Sequence, residues 1–159
     1  MLAATRADSA PIRGALAAGR RVLDLGSGAG FPALVLAALA GADFTLLEAR
    51  RKRVSFLTVA AAEMGLRNVT VDSVHADASS IQPRFDTVMA RAFANPGEFY
   101  SVAAAALKPG GIAILYATGT QPLDLDRARS AGLSRYYRLE YDVARGEQPA
   151  ARALVLHWR

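Results

Sequence analysis

Residues 24–32 read Asp24-Leu25-Gly26-Ser27-Gly28-Ala29-Gly30-Phe31-Pro32. Three glycines at alternate positions follow a short apolar run, Arg20 to Leu25, and precede a helical pattern that reaches about Ala40. A strand, a glycine turn and a helix in that order open a βαβ unit, and the glycines let the backbone bend sharply and approach a ligand closely. Pro32 stands where the first helical residue is expected, a position at which its missing N–H costs nothing. Gly41 ends the helix.

The same alternation continues outward. Phe44 to Leu47 is a second strand and is followed by Glu48. Val54, Leu57, Ala61 and Met64 recur at helical spacing over residues 51–64, with Gly65 as the C-terminal cap. Val69 to Val74 is a third strand and Phe85 to Ala90 a fourth. A helix follows Pro96 to Leu107, Lys108-Pro109-Gly110-Gly111 is a tight turn, and Ile112 to Tyr116 is a fifth strand. After a helix over residues 123–131, Tyr136 to Val143 and Ala151 to Trp158 read as a hairpin. The expected fold is α/β: a doubly wound, mostly parallel seven-stranded sheet with a C-terminal antiparallel hairpin. It forms one domain over residues 1–159. Residues 1–19 are a lead-in, 20–117 the cofactor-binding core, and 118–159 the last helix and hairpin.

Composition narrows the function. At 159 residues and 52 % hydrophobic, the chain has material for one buried core. It has 19 Lys plus Arg against 14 Asp plus Glu, a formal charge of +5. That excess points to an anionic partner, nucleic acid above all, or to solvated surface. The absence of cysteine excludes disulfides, thiolate nucleophiles and Cys-ligated zinc, and fits a reducing, cytoplasmic setting. His75 and His157 match no metal spacing. The longest apolar stretch, Phe31 to Leu47, is broken by Pro32, Gly41 and Asp43 and does not read as a membrane span. The N-terminus lacks the apolar core of a secretory signal.

In open α/β sheets the ligand lies beyond the carboxyl ends of the strands, where the strand order reverses. A nicotinamide fingerprint needs Gly-x-Gly-x-x-Gly. Here the third glycine would be Phe31, and Gly30 comes one position early. Phe31 and Pro32 would crowd a pyrophosphate at the helix N-terminus. The spacing instead resembles the first motif of class I S-adenosylmethionine enzymes, whose ligand carries no phosphate. Asp24 offers a carboxylate for the cofactor's ammonium end. Glu48 can accept two hydrogen bonds from a ribose diol. After strand three, Asp77 can accept the adenine amino group and Ala76 can offer an N–H. The other reading is a glycine-rich turn with a surface glutamate.

The stretch from Asp24 to Pro32 resembles the signature of the bacterial small-subunit ribosomal RNA methyltransferase G family, also called the glucose-inhibited division protein B family. Glu48 with Lys52-Arg53 and Phe56-Leu57 resembles its second strand and basic helix start. Ala90-Arg91-Ala92-Phe93-Ala94 resembles its segment after strand four, and Leu107 to Gly111 its turn into strand five. The resemblance covers about residues 5–117. It implies methyl transfer from S-adenosyl-L-methionine to N7 of a guanine in 16S rRNA, with the rRNA or the small ribosomal subunit as partner and neither membrane nor metal. It implies cofactor contacts at Gly26, Phe31, Ala76, Asp77 and Arg91, beside the loop residues Asp24, Gly28, Gly30 and Glu48. The family carries a helical segment before its Asp-Ser stretch, whereas Asp8-Ser9 lies almost at the start here. Ala33 stands for the family's usual glycine, and Ala117-Thr118-Gly119 for its lysine.

Guanine N7 carries an in-plane lone pair and needs no general base, so the work is alignment. No proton-transferring residue is expected. Arg91 suits either the cofactor carboxylate or an RNA phosphate. Phe31 and Phe93 suit a purine or the core. Arg50-Arg51-Lys52-Arg53 opposes the helix macrodipole, at about 0.3–1 kcal/mol per cation. That cost points to a phosphate-binding patch, to pairing with Glu48 and Glu63, or to plain solvation. Two further functions stay open: a small-molecule methyltransferase, and a catalytically reduced cofactor- or RNA-binding remnant.

Overall fold

Val22, Leu23 and Leu25 are all buried although neighbours along a strand point to opposite faces. A strand buried on both faces belongs inside a sheet that helices cover on both sides. The computed structural model places it there. It describes residues 10–74, 78, 79, 81–91, 93, 95–118, 122–145 and 148–159. The elements are α1 (Ala10–Ala15), β1 (Arg21–Leu25), α2 (Ala33–Leu39), β2 (Asp43–Leu47), α3 (Arg51–Glu63), β3 (Val69–Asp72), β4 (Phe85–Arg91), α4 (Pro96–Ala106), β5 (Leu107–Thr118), α5 (Leu125–Ser130), β6 (Arg135–Arg145) and β7 (Gln148–Trp158).

The seven strands lie in the order β3-β2-β1-β4-β5-β7-β6. β1 to β5 pair in parallel, and β7 runs antiparallel to both β5 and β6. Chain order reverses between β1 and β4, which opens a crevice at their carboxyl ends. Val22, Phe44, Leu46, Met89 and Ile114 pack with α1, α2 and α3 on one face. Leu23, Leu25, Phe85, Val88 and Leu115 pack with α4 and α5 on the other. The expected doubly wound sheet with a closing hairpin is therefore the observed one. Among the described residues, no helix is long and apolar enough to cross a membrane.

Several boundaries differ for physical reasons. Pro32 sits one place before α2, at the N-cap, and the helix starts at Ala33. Lys108 to Gly111 is not a free turn but lies within β5. Pairing jumps from Phe85↔Leu107 to Thr87↔Ile112, so the extra residues bulge out while the ladder resumes on both sides. Gly110 takes φ +76° there. β3 stops at Asp72, two residues short of Val74. On α3, Leu57 and Ala61 are buried as their spacing predicts, but Met64 lies past the helix end and is exposed. The lead-in contributes α1 and the buried Leu16, and the Ala15 carbonyl accepts the Thr87 hydroxyl at 2.7 Å.

Asn68 ties three elements together at the amino end of the sheet. Its side-chain N–H groups donate to the Ala37 carbonyl at 3.0 Å and the Ala42 carbonyl at 2.9 Å, while its own carbonyl accepts from the Phe44 N–H at 2.7 Å. Asn68→Ala leaves the Ala37 carbonyl of α2 and the Ala42 carbonyl just before β2 without this donor. It is expected to lower unfolding stability by about 1–3 kcal/mol in urea denaturation, with an unchanged m-value.

Candidate functional site

The glycine loop sits at the β1–β4 crevice, and hydrogen bonds to its own chain fix its shape. The Gly26 and Ser27 N–H groups both donate to the Leu47 carbonyl, at 2.9 and 3.0 Å. The Gly28 N–H donates to Glu48 Oε2 at 3.0 Å, and the Gly30 N–H to the Ser27 carbonyl at 2.8 Å. Gly26, Gly28 and Gly30 take φ of +69°, +60° and +79°, a region that side chains disfavour. At Gly30 a Cβ would also fall 2.8 Å from Leu34 Cγ and 3.0 Å from Leu57 Cδ2. The third glycine is thus needed for close packing between α2 and α3.

Beside this loop lies a cavity of about 540 Å³. Asp24 and residues 26–29 line one side, and Phe31 and Arg91 another. Lys52, Arg53 and Phe56 of α3 close the third. The Arg91 guanidinium lies over the Phe31 ring, 5.2 Å from its centroid, while Phe31 and Phe56 are each about half exposed.

The two carboxylates of the region are in different electrostatic states. Burial pushes the Asp24 carboxyl up to about 6, against smaller opposing pulls from the Ser27 hydroxyl and Arg91. Asp24 is 2 % exposed, so this is a negative group held with little solvation at a cavity wall. Burial also pushes Glu48 up, but the Arg50 and Gly28 N–H groups and the Arg53 guanidinium outweigh it and the net shift is downward. The Arg50 N–H donates to Glu48 Oε1 at 2.9 Å, and Arg53 Nη1 lies 3.6 Å from Oε2.

Of the expected site residues, the structure brings Asp24, Gly26, Gly28, Phe31 and Arg91 onto one cavity. Gly30, within the loop against Leu34 and Leu57, and Glu48, bonded to the Gly28 N–H, shape the loop and are not among the cavity-lining residues. Ala76 and Asp77 fall outside the described residues. Phe93 packs edge-on against Phe99 at 6.1 Å, against the core on the α4 face, and does not line the cavity. Among the described residues, Arg53 is the one of the four consecutive cations whose side chain meets a carboxylate, Glu48. Sequence reasoning included pairing of the basic run with Glu48, and Arg53 makes that pair, but it missed the ties from Glu48 to the Gly28 and Arg50 N–H groups. It also gave Phe56 no place in the site; its signal was an aromatic off the buried Leu57–Ala61 face of α3.

A sequence model of the family described as "rRNA small subunit methyltransferase G" matches residues 4–140. The ribosomal RNA small subunit methyltransferase G of Nitrosococcus oceani is 42 % identical over 107 residues, covering 67 % of this chain and 50 % of the relative. That of Rhodospirillum centenum is 40 % identical over 130 residues, covering 81 % and 59 %. The chain spans about half the length of the relatives it matches. Among solved structures, a precorrin-6y C5,15-methyltransferase of Geobacter metallireducens superposes with TM-score 0.71 at 19 % identity, covering 94 % of this chain and 86 % of that one. A SAM-dependent O-methyltransferase of Thermotoga maritima does so with TM-score 0.68 at 18 % identity, covering 96 % and 64 %. At these identities the superpositions show a shared fold.

The raised Asp24 carboxyl has a stability consequence. The folded state holds this proton more tightly than the unfolded chain. Its contribution is therefore full below the ordinary value of 3.8 and lost as pH rises through about 6. At about 1.4 kcal/mol per pKa unit, ionised Asp24 opposes folding by about 3 kcal/mol at neutral pH. Asp24→Asn is expected to melt several degrees above the parent chain at about pH 7.5, with the gain vanishing near about pH 4. Calorimetric melts at the two pH values check this.

Proposed function

The chain belongs to the small-subunit ribosomal RNA methyltransferase G family, and from that premise we propose that it transfers a methyl group from S-adenosylmethionine to N7 of a guanine in 16S rRNA. The observation that carries the cofactor choice is the state of the glycine loop. Four of its N–H groups are already used within the chain, at Gly26, Ser27, Gly28 and Gly30. Pro32, at the N-cap of α2, has none to give. A dinucleotide's diphosphate needs free N–H groups at this place. A nucleoside with an ammonium and a sulfonium does not, and it finds the buried Asp24 carboxylate instead.

The residues present fit that ligand. Asp24 takes the ammonium, and the ion pair returns the solvation that burial removed. Gly26 and Gly28 let the ligand lie against the backbone. Phe31 supplies an apolar wall, and Arg91 a bidentate partner for the ligand carboxylate. Glu48 keeps unused lone pairs for the ribose diol. Ala76 and Asp77 are assigned to the adenine from their place after the third strand in chain order, and the family resemblance implies cofactor contacts at both.

When bound, S-adenosylmethionine would supply an electrophilic methyl on sulfonium that N7 could take with its lone pair, the carbon–sulfur bond pair leaving with sulfur. The chain moves no proton, because N7 attacks through a free lone pair. Its task is to hold acceptor and donor in line at about 3–3.5 Å. Lys52, Arg53 and Phe56 give the cavity a cationic and aromatic rim, the chemistry that receives an unpaired nucleotide and its phosphate.

Incubation of the purified chain with tritiated cofactor and small-subunit rRNA is expected to label the RNA. Nuclease digests should then contain 7-methylguanosine by mass spectrometry. RNA binding should weaken linearly in a plot of log affinity against log salt. Methylation of a metabolite with no transfer to rRNA or to assembled subunits would favour a small-molecule enzyme instead. Cofactor binding with no turnover on any of them would favour a non-enzymatic remnant.

A further inference from the structure

Three donors converge on one buried carboxylate. The Arg50 N–H reaches Glu48 Oε1 at 2.9 Å, the Gly28 N–H reaches Oε2 at 3.0 Å, and Arg53 Nη1 stands 3.6 Å from Oε2. Glu48 is 5 % exposed and does not line the main cavity. Two backbone N–H groups beside a guanidinium, at a glycine turn and a helix start, form the donor set that proteins present to phosphate. Here the chain fills that set with its own side chain.

We propose that Glu48 is a resident anion, clasped by Arg53, that fixes the Gly28 N–H and closes the glycine loop to phosphorylated nucleotides. This makes Glu48 and Arg53 positioning and specificity-determining residues, a role separate from any hydrogen bond between Glu48 and a ribose. The inference rests on the reading that this loop holds S-adenosylmethionine.

The physics favours this arrangement. A carboxylate with so little solvent persists as an anion only when hydrogen bonds and a countercharge replace its water, and both are present. A free phosphate would have to displace that carboxylate against like-charge repulsion. Gly28 takes φ +60°, so its N–H points where it does only while the turn keeps a left-handed backbone. The tie to Glu48 therefore acts on loop shape directly. It also explains Arg53: a cation in the first turn of α3 opposes the helix dipole, and the adjoining carboxylate offsets that cost.

The test is Glu48→Ala in the full chain. It is read by calorimetry with S-adenosylhomocysteine and by amide exchange at Gly28 and Arg50, in sodium acetate and in sodium chloride of equal ionic strength. Affinity for the nucleoside should fall by about tenfold or more. Acetate, which returns a carboxylate to the vacated donors, should restore much of it. Without nucleoside, the Gly28 and Arg50 amides should exchange faster in the variant and slow again in acetate. Inorganic phosphate should raise the melting temperature of the variant and leave the parent chain unmoved.

Unchanged affinity, or a Gly28 amide that ignores both the substitution and acetate, overturns the proposal. Lost affinity with an unmoved Gly28 amide assigns Glu48 to the ribose alone and overturns it too. If the parent chain binds no S-adenosylhomocysteine while the variant's Gly28 amide still answers to acetate, the cofactor reading fails and the resident anion stands. Should Glu48→Ala not fold, Arg53→Gln decides. Faster Gly28 exchange at an unchanged melting temperature, reversed in Arg53→Lys, supports the clasp; unchanged exchange rejects it.

Discussion

The attachment of the glycine loop to the end of β2 is the constraint on which the site depends. Two N–H groups share the Leu47 carbonyl and a third takes the Glu48 carboxylate. Leu47 is itself held on both sides, by Leu25 of β1 and Asp72 of β3. The loop is therefore part of the sheet's hydrogen-bond system and inherits its rigidity. That rigidity places the Asp24 carboxylate, the Phe31 ring and the Arg91 guanidinium around one space, although they come from three different segments.

Holding Asp24 there opposes folding, and under the proposed function it serves binding. A carboxylate kept almost out of water opposes the apoprotein's stability, while an ammonium ligand would relieve it. Stability and recognition then pull in opposite directions at one residue, as is common where a site must wait for its ligand. Tyr116, whose hydroxyl burial pushes up, with a further push from the Asp24 charge, belongs to the same poorly solvated neighbourhood.

How much of this was legible in the sequence differs by layer. The fold was legible because it rests on periodicity: alternating apolar runs and glycine punctuation gave the β1–α2–β2–α3–β3 half, β4–α4 and the hairpin. The bulge in β5 was not, because Lys108-Pro109-Gly110-Gly111 has the residues of a free turn and only the partner strand shows that pairing resumes around it. Around the site, the spacing of the glycines pointed away from a dinucleotide for steric reasons. The structure adds a hydrogen-bonding reason, since the N–H groups are already in use. The Arg53–Glu48 pair was among the readings of the basic run, but the ties from Glu48 to the Gly28 and Arg50 N–H groups could not be read, because they run through backbone atoms that leave no mark on residue choice. Phe93 and Phe31 are both aromatics near the same edge, and only packing assigns one to the core and the other to the cavity.

The hairpin runs past the segment of β7 that pairs with β5. β7 pairs with β5 from Trp158 to Arg152, but with β6 as far as Gln148. Four further residues therefore run past the end of β5, an overhang of about 13 Å at the usual rise per residue. Among the described residues β7 has no β5 partner along that overhang, and its outward backbone groups there form a strand border. Such borders invite pairing with another chain. Pro149 stands in this stretch and brings no N–H, so one rung of any foreign ladder is missing from the start. That one missing donor weakens the projecting arm as a template for a second chain's strand.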